Sequence, residues 1–256
     1  MRSVWLALGA LTTVIALMTG SSIIWEIFAH ARPPTVQTNR TIPFNGKQLT
    51  IEARDDVGVS IVPGNAGEVQ LNLRMRWSRT RPKVSEDWTG GKLTLSATCP
   101  GADPADHETI CEADYTVFVP TETTLDVDVA SGELRVGDLY GDLRISSVSG
   151  DVLVTQTVGK LWARSGSGDI TANALRGEYT NVETGEGTIE LSYQRRPMDV
   201  TAVVRTQGNI RVYVENGAYD VTAQSDKTDV DVVHDPSSPR KITTSTQDGQ
   251  VDICCG

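Results

Sequence analysis

Apolar and polar residues alternate along most of this chain. From Glu68 to Trp77 (EVQLNLRMRW), Val69, Leu71, Leu73, Met75 and Trp77 share one side, while Gln70, Asn72, Arg74 and Arg76 share the other. A period of two with one apolar side predicts a half-buried strand. The runs LTIEA (49–53), VSIV (59–62), KLTLSA (92–97) and YTVFV (115–119) predict further strands, with the turn-like ARDDVG between the first two and Pro120 closing the last.

Beyond Pro120 the alternation becomes periodic on a longer scale. A small polar pair, usually ending in glycine, precedes a polar and then an apolar residue. It recurs as Ser131-Gly132-Glu133-Leu134, Ser149-Gly150-Asp151-Val152, Ser167-Gly168-Asp169-Ile170, Glu186-Gly187-Thr188-Ile189, Gln207-Gly208-Asn209-Ile210, Lys227-Thr228-Asp229-Val230 and Asp248-Gly249-Gln250-Val251. The steps are 18, 18, 19, 21, 20 and 21 residues, and one slot, at Thr228, has lost its glycine. A second punctuation runs in counter-phase through Gly141, Gly159, Gly177, Pro197, Gly217 and Pro239. Each unit therefore holds two turns and two short strands. Units of about 20 residues cannot bury a face alone and become stable by stacking.

The pattern predicts an all-β fold: a single-stranded-type β-solenoid of about seven 18–21-residue rungs, its rungs about 4.8 Å apart. Irregular β-strands and one N-terminal transmembrane helix precede it. The expected organisation is an anchor over 1–31, a linker over 32–40, an N-terminal β region over 41–120 that packs on or continues the solenoid, and the repetitive solenoid over 121–256.

The run YTVFVPTETTLDVDVASGELRV, followed by serial SGDV and SGDI units, resembles the bacterial DUF4097 family of adhesin-like and LiaG-like proteins. The likeness covers residues 110–256 well and 40–110 loosely. It implies a β-solenoid body, an envelope location and a membrane tether. It carries over no catalytic residue. Thr228 and the adjacent Cys254-Cys255 depart from the pattern, which puts the geometry of the last two rungs in doubt.

The N-terminus changes the picture. Val4 to Trp25 is free of charge for 22 residues. As a helix it would rise about 33 Å, enough to cross a bilayer core, with Trp5 and Trp25 at its ends. The reading is a single-pass anchor in the cell membrane with the C-terminal body extracytoplasmic. The alternative is a signal peptide cleaved near Ala31, where Ala29-His30-Ala31 offers a small-residue site and the body would be secreted. Arg2 and Arg32 flank the segment on opposite sides, so charge orients it weakly.

The formal net charge is -10, and Arg2 and Glu26 cancel, so the body carries all of it. That argues against nucleic-acid partners, which select a basic footprint. Cys99 and Cys111 bracket a polar loop and either form a disulfide, as fits an exported chain, or remain two reduced thiols. A bridge would contribute about 3 kcal/mol in the chain-entropy account. Cys254 and Cys255 point to opposite faces of a strand, Cys255 inward and Cys254 outward, where Cys254 could form an intermolecular contact.

Candidate chemistry is sparse. The stretch RSGSGDI (164–170) lacks the lysine and the helix of a phosphate-binding loop. Glu133, Asp151 and Asp169 would stack on successive rungs, as turn-forming residues or as a weak Ca²⁺ site. Arg74, Arg76, Arg79, Arg81 and Lys83 form a basic run, either a solvated strand face or a contact for anionic lipid or wall polymer. Trp88 and Trp162 could stack on sugars. His30, His107 and His234 have no nearby partner in the sequence. No catalytic residue, cofactor or strong metal site is expected. The expected function is a non-enzymatic, membrane-anchored envelope protein, adhesin-like and binding an unidentified protein or polymer. The alternatives are a regulatory or sensory subunit of a membrane envelope-stress complex, or a carbohydrate-active β-helix enzyme.

Overall fold

The computed structural model describes residues 13–22, 24, 33–101 and 110–255. Its strands form two 11-stranded sheets, with the apolar residues of both facing inward to one continuous core. The central rungs each give one strand to each sheet. They are β8 (Thr124–Ser131) with β9 (Leu134–Gly137), β10 (Leu143–Ser149) with β11 (Val152–Thr155), and β12 (Leu161–Ser167) with β13 (Ile170–Leu175). Next come β14 (Tyr179–Glu186) with β15 (Ile189–Tyr193), and β16 (Asp199–Gln207) with β17 (Ile210–Val214). Neighbouring rungs pair in parallel and in register, so that Leu134, Val152, Ile170, Ile189 and Ile210 form one buried column. Sheet I holds β9, β11, β13, β15 and β17; sheet II holds β8, β10, β12, β14 and β16.

The fold is therefore a two-sheet solenoid and not one of single-stranded type. It also extends further than the repeat. β2 (Gln48–Asp56) and β3 (Gly58–Pro63) form a rung beside β8 and β9. β6 (Lys92–Thr98) and β7 (Cys111–Val119) form another outside that one. The strands before the repeat are thus regular members of the stack, and the parallel rungs number nine with the two at the C-terminal end. Antiparallel strands cap the N-terminal end: β4 (Glu68–Trp77) on β7, β1 (Thr35–Pro43) on β4, and β5 (Lys83–Thr89) on β6. β1 occupies most of the stretch expected to be a linker. Its exposed, polar pattern is that of an edge strand, which hides the alternation.

The turns explain the stacking. Gly132, Gly150, Gly168, Gly187, Gly208 and Gly249 all have positive φ, from 100° to 153°. A Cβ on Gly150 would lie 2.2 Å from the Gly132 carbonyl oxygen, one on Gly168 2.5 Å from that of Gly150, and one on Gly187 2.4 Å from that of Gly168. Any side chain would hold the rungs apart. The counter-phase turns use the same device, with Gly159 and Gly177 each closing on the carbonyl of the preceding glycine at 2.2 and 2.3 Å. Beside the turns, buried hydroxyls satisfy backbone carbonyls: Thr184 Oγ1 donates to Gly168 O at 3.1 Å and Thr246 Oγ1 to Gly208 O at 2.9 Å.

The C-terminal end departs from chain order. β22 (Gln250–Cys255) pairs with β17, and β21 (Lys241–Asp248) with β16, so the final unit follows the fifth. The sixth, β18 (Ala218–Gln224) with β19 (Lys227–Val230), lies outside it, with the two-residue β20 (Val233–His234) against β18. Gly249 explains the exchange, because its Cβ position is 2.0 Å from Gly208 O. The register pairs Thr228 with Val251 and Val230 with Ile253, which puts Asp226, and not Thr228, level with Gly249. A turn without glycine lacks this close approach, and at the end of sheet I no further turn has to stack on it.

Among the described residues, no helix is long and apolar enough to cross a membrane. Residues 13–22 and 24 are helical. The rest of the expected anchor, with Arg2, Trp5, Trp25, His30 and the cleavage site near Ala31, lies outside the described residues, as do Arg32 and His107.

Two predictions follow from this packing. Gly168→Ala should cost at least about 2 kcal/mol in urea unfolding, through both the positive φ and the carbonyl contact. Ile170→Asp, which buries a charge at a fully buried position, should prevent stacking. Asp169→Asn should change little, because Asn209 already occupies the equivalent place. Native stability in Gly168→Ala would refute the turn geometry.

The second concerns alkali. Burial pushes the phenols of Tyr115, Tyr193 and Tyr219 up, aided at Tyr115 by Glu86. Above about pH 10 an unfolded tyrosine loses its proton, whereas these three keep theirs when folded. Their contribution is complete below pH 10 and is lost as pH rises towards the folded values. Unfolding free energy should fall steeply above pH 10, less so in Tyr193→Phe, and phenolate absorbance should lag until the fold is lost.

Candidate functional site

A groove of about 440 Å³ crosses the outer face of sheet I at its N-terminal end. Strand register builds it. Gln37 on β1, Arg74 on β4, Asp114 on β7, Gly58 on β3 and Glu133 just before β9 stand level across five neighbouring strands. One step along, Asn72, Thr116, Ser60 and Arg135 form the adjacent row. Gly58 has no side chain, and a Cβ there would meet Asp114 Oδ1 at 2.7 Å. The missing side chain leaves the room into which the Asp114 carboxylate leans.

An ion pair stands on each side of Gly58. Arg74 Nη2 lies 3.2 Å from Asp114 Oδ2, and Arg135 is paired with Glu133. Both pairs are partly exposed, so they contribute little to stability. Their remaining N–H edges and oxygen lone pairs face solvent. Phe118, two residues beyond Thr116 on β7, adds an aromatic ring to the lining. Cys111 borders the groove and is joined to Cys99 by a disulfide with Cα atoms 6.1 Å apart. The bridge ties the ends of β6 and β7, which belong to different sheets.

The groove thus unites Arg74, Glu133 and Cys111, which are scattered in sequence. It leaves the rest of the basic run aside. Arg76 pairs with Glu112 at 3.3 Å, and Arg81 lies 5.6 Å over the Trp77 ring. Arg79 lies in the bend after β4, and Lys83 starts β5 on the other sheet. The run is therefore no continuous basic face: carboxylates match Arg74 and Arg76, and the chain turns from one sheet to the other within it.

The acidic column reads as turn chemistry. Asp151 Oδ1 accepts the Asp169 N–H at 2.9 Å, and Asp169 Oδ1 accepts the Thr188 N–H at 2.7 Å. Asn209 does the same for Gln250 at 2.9 Å. Glu133, the third Ca²⁺ candidate, is engaged by Arg135. Among the described residues no group of three or more His, Cys, Asp or Glu side chains could hold a metal.

The remaining candidates have structural partners. Trp88 packs edge-on against Phe44 with ring centroids 6.0 Å apart. The Trp162 ring carries Arg144 at 3.8 Å, so it is no open sugar platform. His234 Nδ1 accepts the Val221 N–H at 3.2 Å. Cys254 and Cys255 are free thiols. Burial, then the charges of Asp252, Cys255, Asp231 and Asp229, push the Cys254 thiol up, which leaves little thiolate to start an intermolecular bridge. Cys255 Sγ lies 2.6 Å from Asn216 Oδ1.

Gly58, Asn72, Asp114 and Phe118 were not singled out from the sequence. Their signal was the alternation of β4 and β7, which gives the outward residues but not which strands are neighbours.

No curated protein matches the sequence. Among solved structures, a "putative adhesin" from Bacteroides fragilis is similar over 85% of this chain and 97% of its own, at 12% identity and a TM-score of 0.46. A "putative adhesin" from Parabacteroides distasonis is similar over 86% and 97%, at 11% identity and a TM-score of 0.46. A "putative lipid binding protein" from the same species is similar over 86% and 96%, at 9% identity and a TM-score of 0.36. At these identities no residue role is carried across. The family profile described as Toastrack DUF4097 matches residues 47–254, and the chain belongs to that family.

Proposed function

We propose that this protein is a non-enzymatic envelope protein, adhesin-like, that holds a hydroxyl-rich saccharide chain in the groove on sheet I. The observation that carries the reading is the placement of the Arg74–Asp114 and Arg135–Glu133 pairs on either side of Gly58. Planar carboxylate, amide and guanidinium groups offer paired donors and acceptors that match vicinal hydroxyls. Phe118 supplies the apolar surface against which a sugar face packs. Each carboxylate is held by a guanidinium, so neither stands free as the proton donor that glycoside cleavage requires.

The body stands outside the cytoplasm in this proposal, tethered by the apolar segment Val4–Trp25. The Cys99–Cys111 disulfide supports an oxidising compartment. The tether places the groove close to the membrane, because β1 begins about ten residues after Trp25.

Two outcomes are expected. NMR titration of the full chain with neutral tetrasaccharides of glucose, mannose and N-acetylglucosamine should shift Gly58, Ser60 and Thr116 amides. Asp114→Ala and Phe118→Ala should each weaken that binding at least tenfold with unchanged melting temperature. Absence of shifts with all three sugars would overturn the groove reading. Membranes washed in alkaline carbonate should retain the full-length chain, with its body open to protease from outside. Recovery of a shortened chain in the medium would replace the anchor by secretion.

A further inference from the structure

The body carries an excess of acid, yet the outer face of sheet II gathers two guanidiniums on one ring and a third on the carboxylate beside them. Arg144 on β10 lies 3.8 Å over the centroid of Trp162, and Arg164 lies 4.6 Å from the same ring. Glu183 on β14, only 15% exposed, holds Arg164 at 3.1 Å and also pairs with Arg205 on β16. Asn181 Oδ1 accepts a further N–H of Arg164 at 2.8 Å. The register sets this up: Arg144 is level with Trp162, Trp162 with Asn181, and Arg164 with Glu183.

A guanidinium stacked on an aromatic face can keep in-plane N–H groups for a carboxylate or phosphate. Arg144 and Arg205 present theirs, whereas Arg164 directs its own to Glu183, Asn181 and the Ala163 carbonyl and serves to order the cluster. The ring thus orders Arg144 and Arg164, and the largely covered Glu183 carboxylate holds Arg164 and Arg205, before any ligand arrives. Fixed donors lose less conformational freedom on binding. The charges do not cancel. Against Arg144, Arg164 and Arg205 stand Glu183 and Asp126, the latter 3.8 Å from Arg144. Burial pulls the Arg164 pKa down, Glu183 opposes this, and the like charges of Arg205 and Arg144 add to the fall. Lys160, 5.4 Å over the exposed ring of Tyr179, continues the positive surface beside β12.

We infer that the outer face of sheet II is a second binding site, independent of the groove, for a linear polymer bearing carboxylate or phosphate groups. The polymer would run along the stack. Strands lie about 4.8 Å apart, so the arginines from β10 to β16 span roughly 14 Å. Several oxyanions in a row match that spacing, and a single small anion does not. Long nucleic acid is disfavoured by the acidity of the remaining surface.

The test is biolayer interferometry on the full chain in detergent, with polygalacturonate and poly(glycerol phosphate) as probes and dextran and single-stranded DNA as comparisons. Arg144 and Arg205 side chains are 57% and 69% exposed, so an Arg144→Gln/Arg205→Gln variant should fold. At least one charged polymer should bind at 50 mM salt, fade by 300 mM, and lose at least tenfold in affinity in the double variant. Retention of that binding in Asp114→Ala separates this site from the groove. Binding of the carboxylate polymer alone or the phosphate polymer alone supports the site and identifies its chemistry. No binding of either polymer, undiminished binding by a folded double variant, equal binding of dextran, or tighter binding of DNA would overturn it.

Discussion

The whole structure depends on a distance at which no side chain fits. Where successive rungs turn, the backbone of one glycine lies against the carbonyl of the glycine before it, and a Cβ would stand 2.0–2.5 Å from that oxygen from Gly150 through Gly249. This contact sets the rung spacing at one edge, and the parallel hydrogen bonds keep it across both sheets. The inward Val, Ile and Leu columns then meet their like on every rung. Their burial, about 1.5–3 kcal/mol for each such side chain, stabilises the stack only because the turns let the rungs approach.

With one half of each strand committed to the core, function is left to the other half and to its register. The groove and the arginine cluster are both products of rows, in which residues far apart in sequence become lateral neighbours. The two differ in how they arise. In the groove a row lacks a side chain at Gly58, and the Asp114 carboxylate leans into the room this leaves. The cluster exists because a row contains one large ring, Trp162, against which long side chains are ordered. Neither needs a loop, and both sit on a scaffold whose backbone is hydrogen-bonded on either side, which suits recognition by fixed groups.

The repeat was legible because its causes are local. Glycine with positive φ, a capping Asp or Asn, and two apolar residues at alternate positions leave a signature in ten residues. The columns through Leu134, Val152 and Ile170 could be read directly. What was hidden is which strand lies beside which. β1 and β5 lack a clean apolar side because they are edges, and their charge and polarity serve to discourage further pairing. The placement of β22 beside β17 depends on Gly249 fitting Gly208, a contact between residues 41 apart in sequence. The groove was illegible for the same reason: Arg74 and Glu133 were visible as residues, whereas Gly58 and Asp114 gain meaning only when β3 and β7 are neighbours. Trp162 was visible as an outward ring, but its arginines come from two rungs.

The exchanged rungs at the C-terminal end also separate the order of synthesis from the order of assembly. β18 and β19 leave the ribosome before β21 and β22, yet their place lies beyond them. While the later strands are still being made, the growing end of the solenoid at β17 is bare and the wrong rung is the nearer one. Asp226 is where the two rungs differ. Only Gly249 offers the Gly208 carbonyl a turn without a side chain, so the inner seat suits the later rung, and the outer seat, with no further turn stacked on it, suits the earlier one.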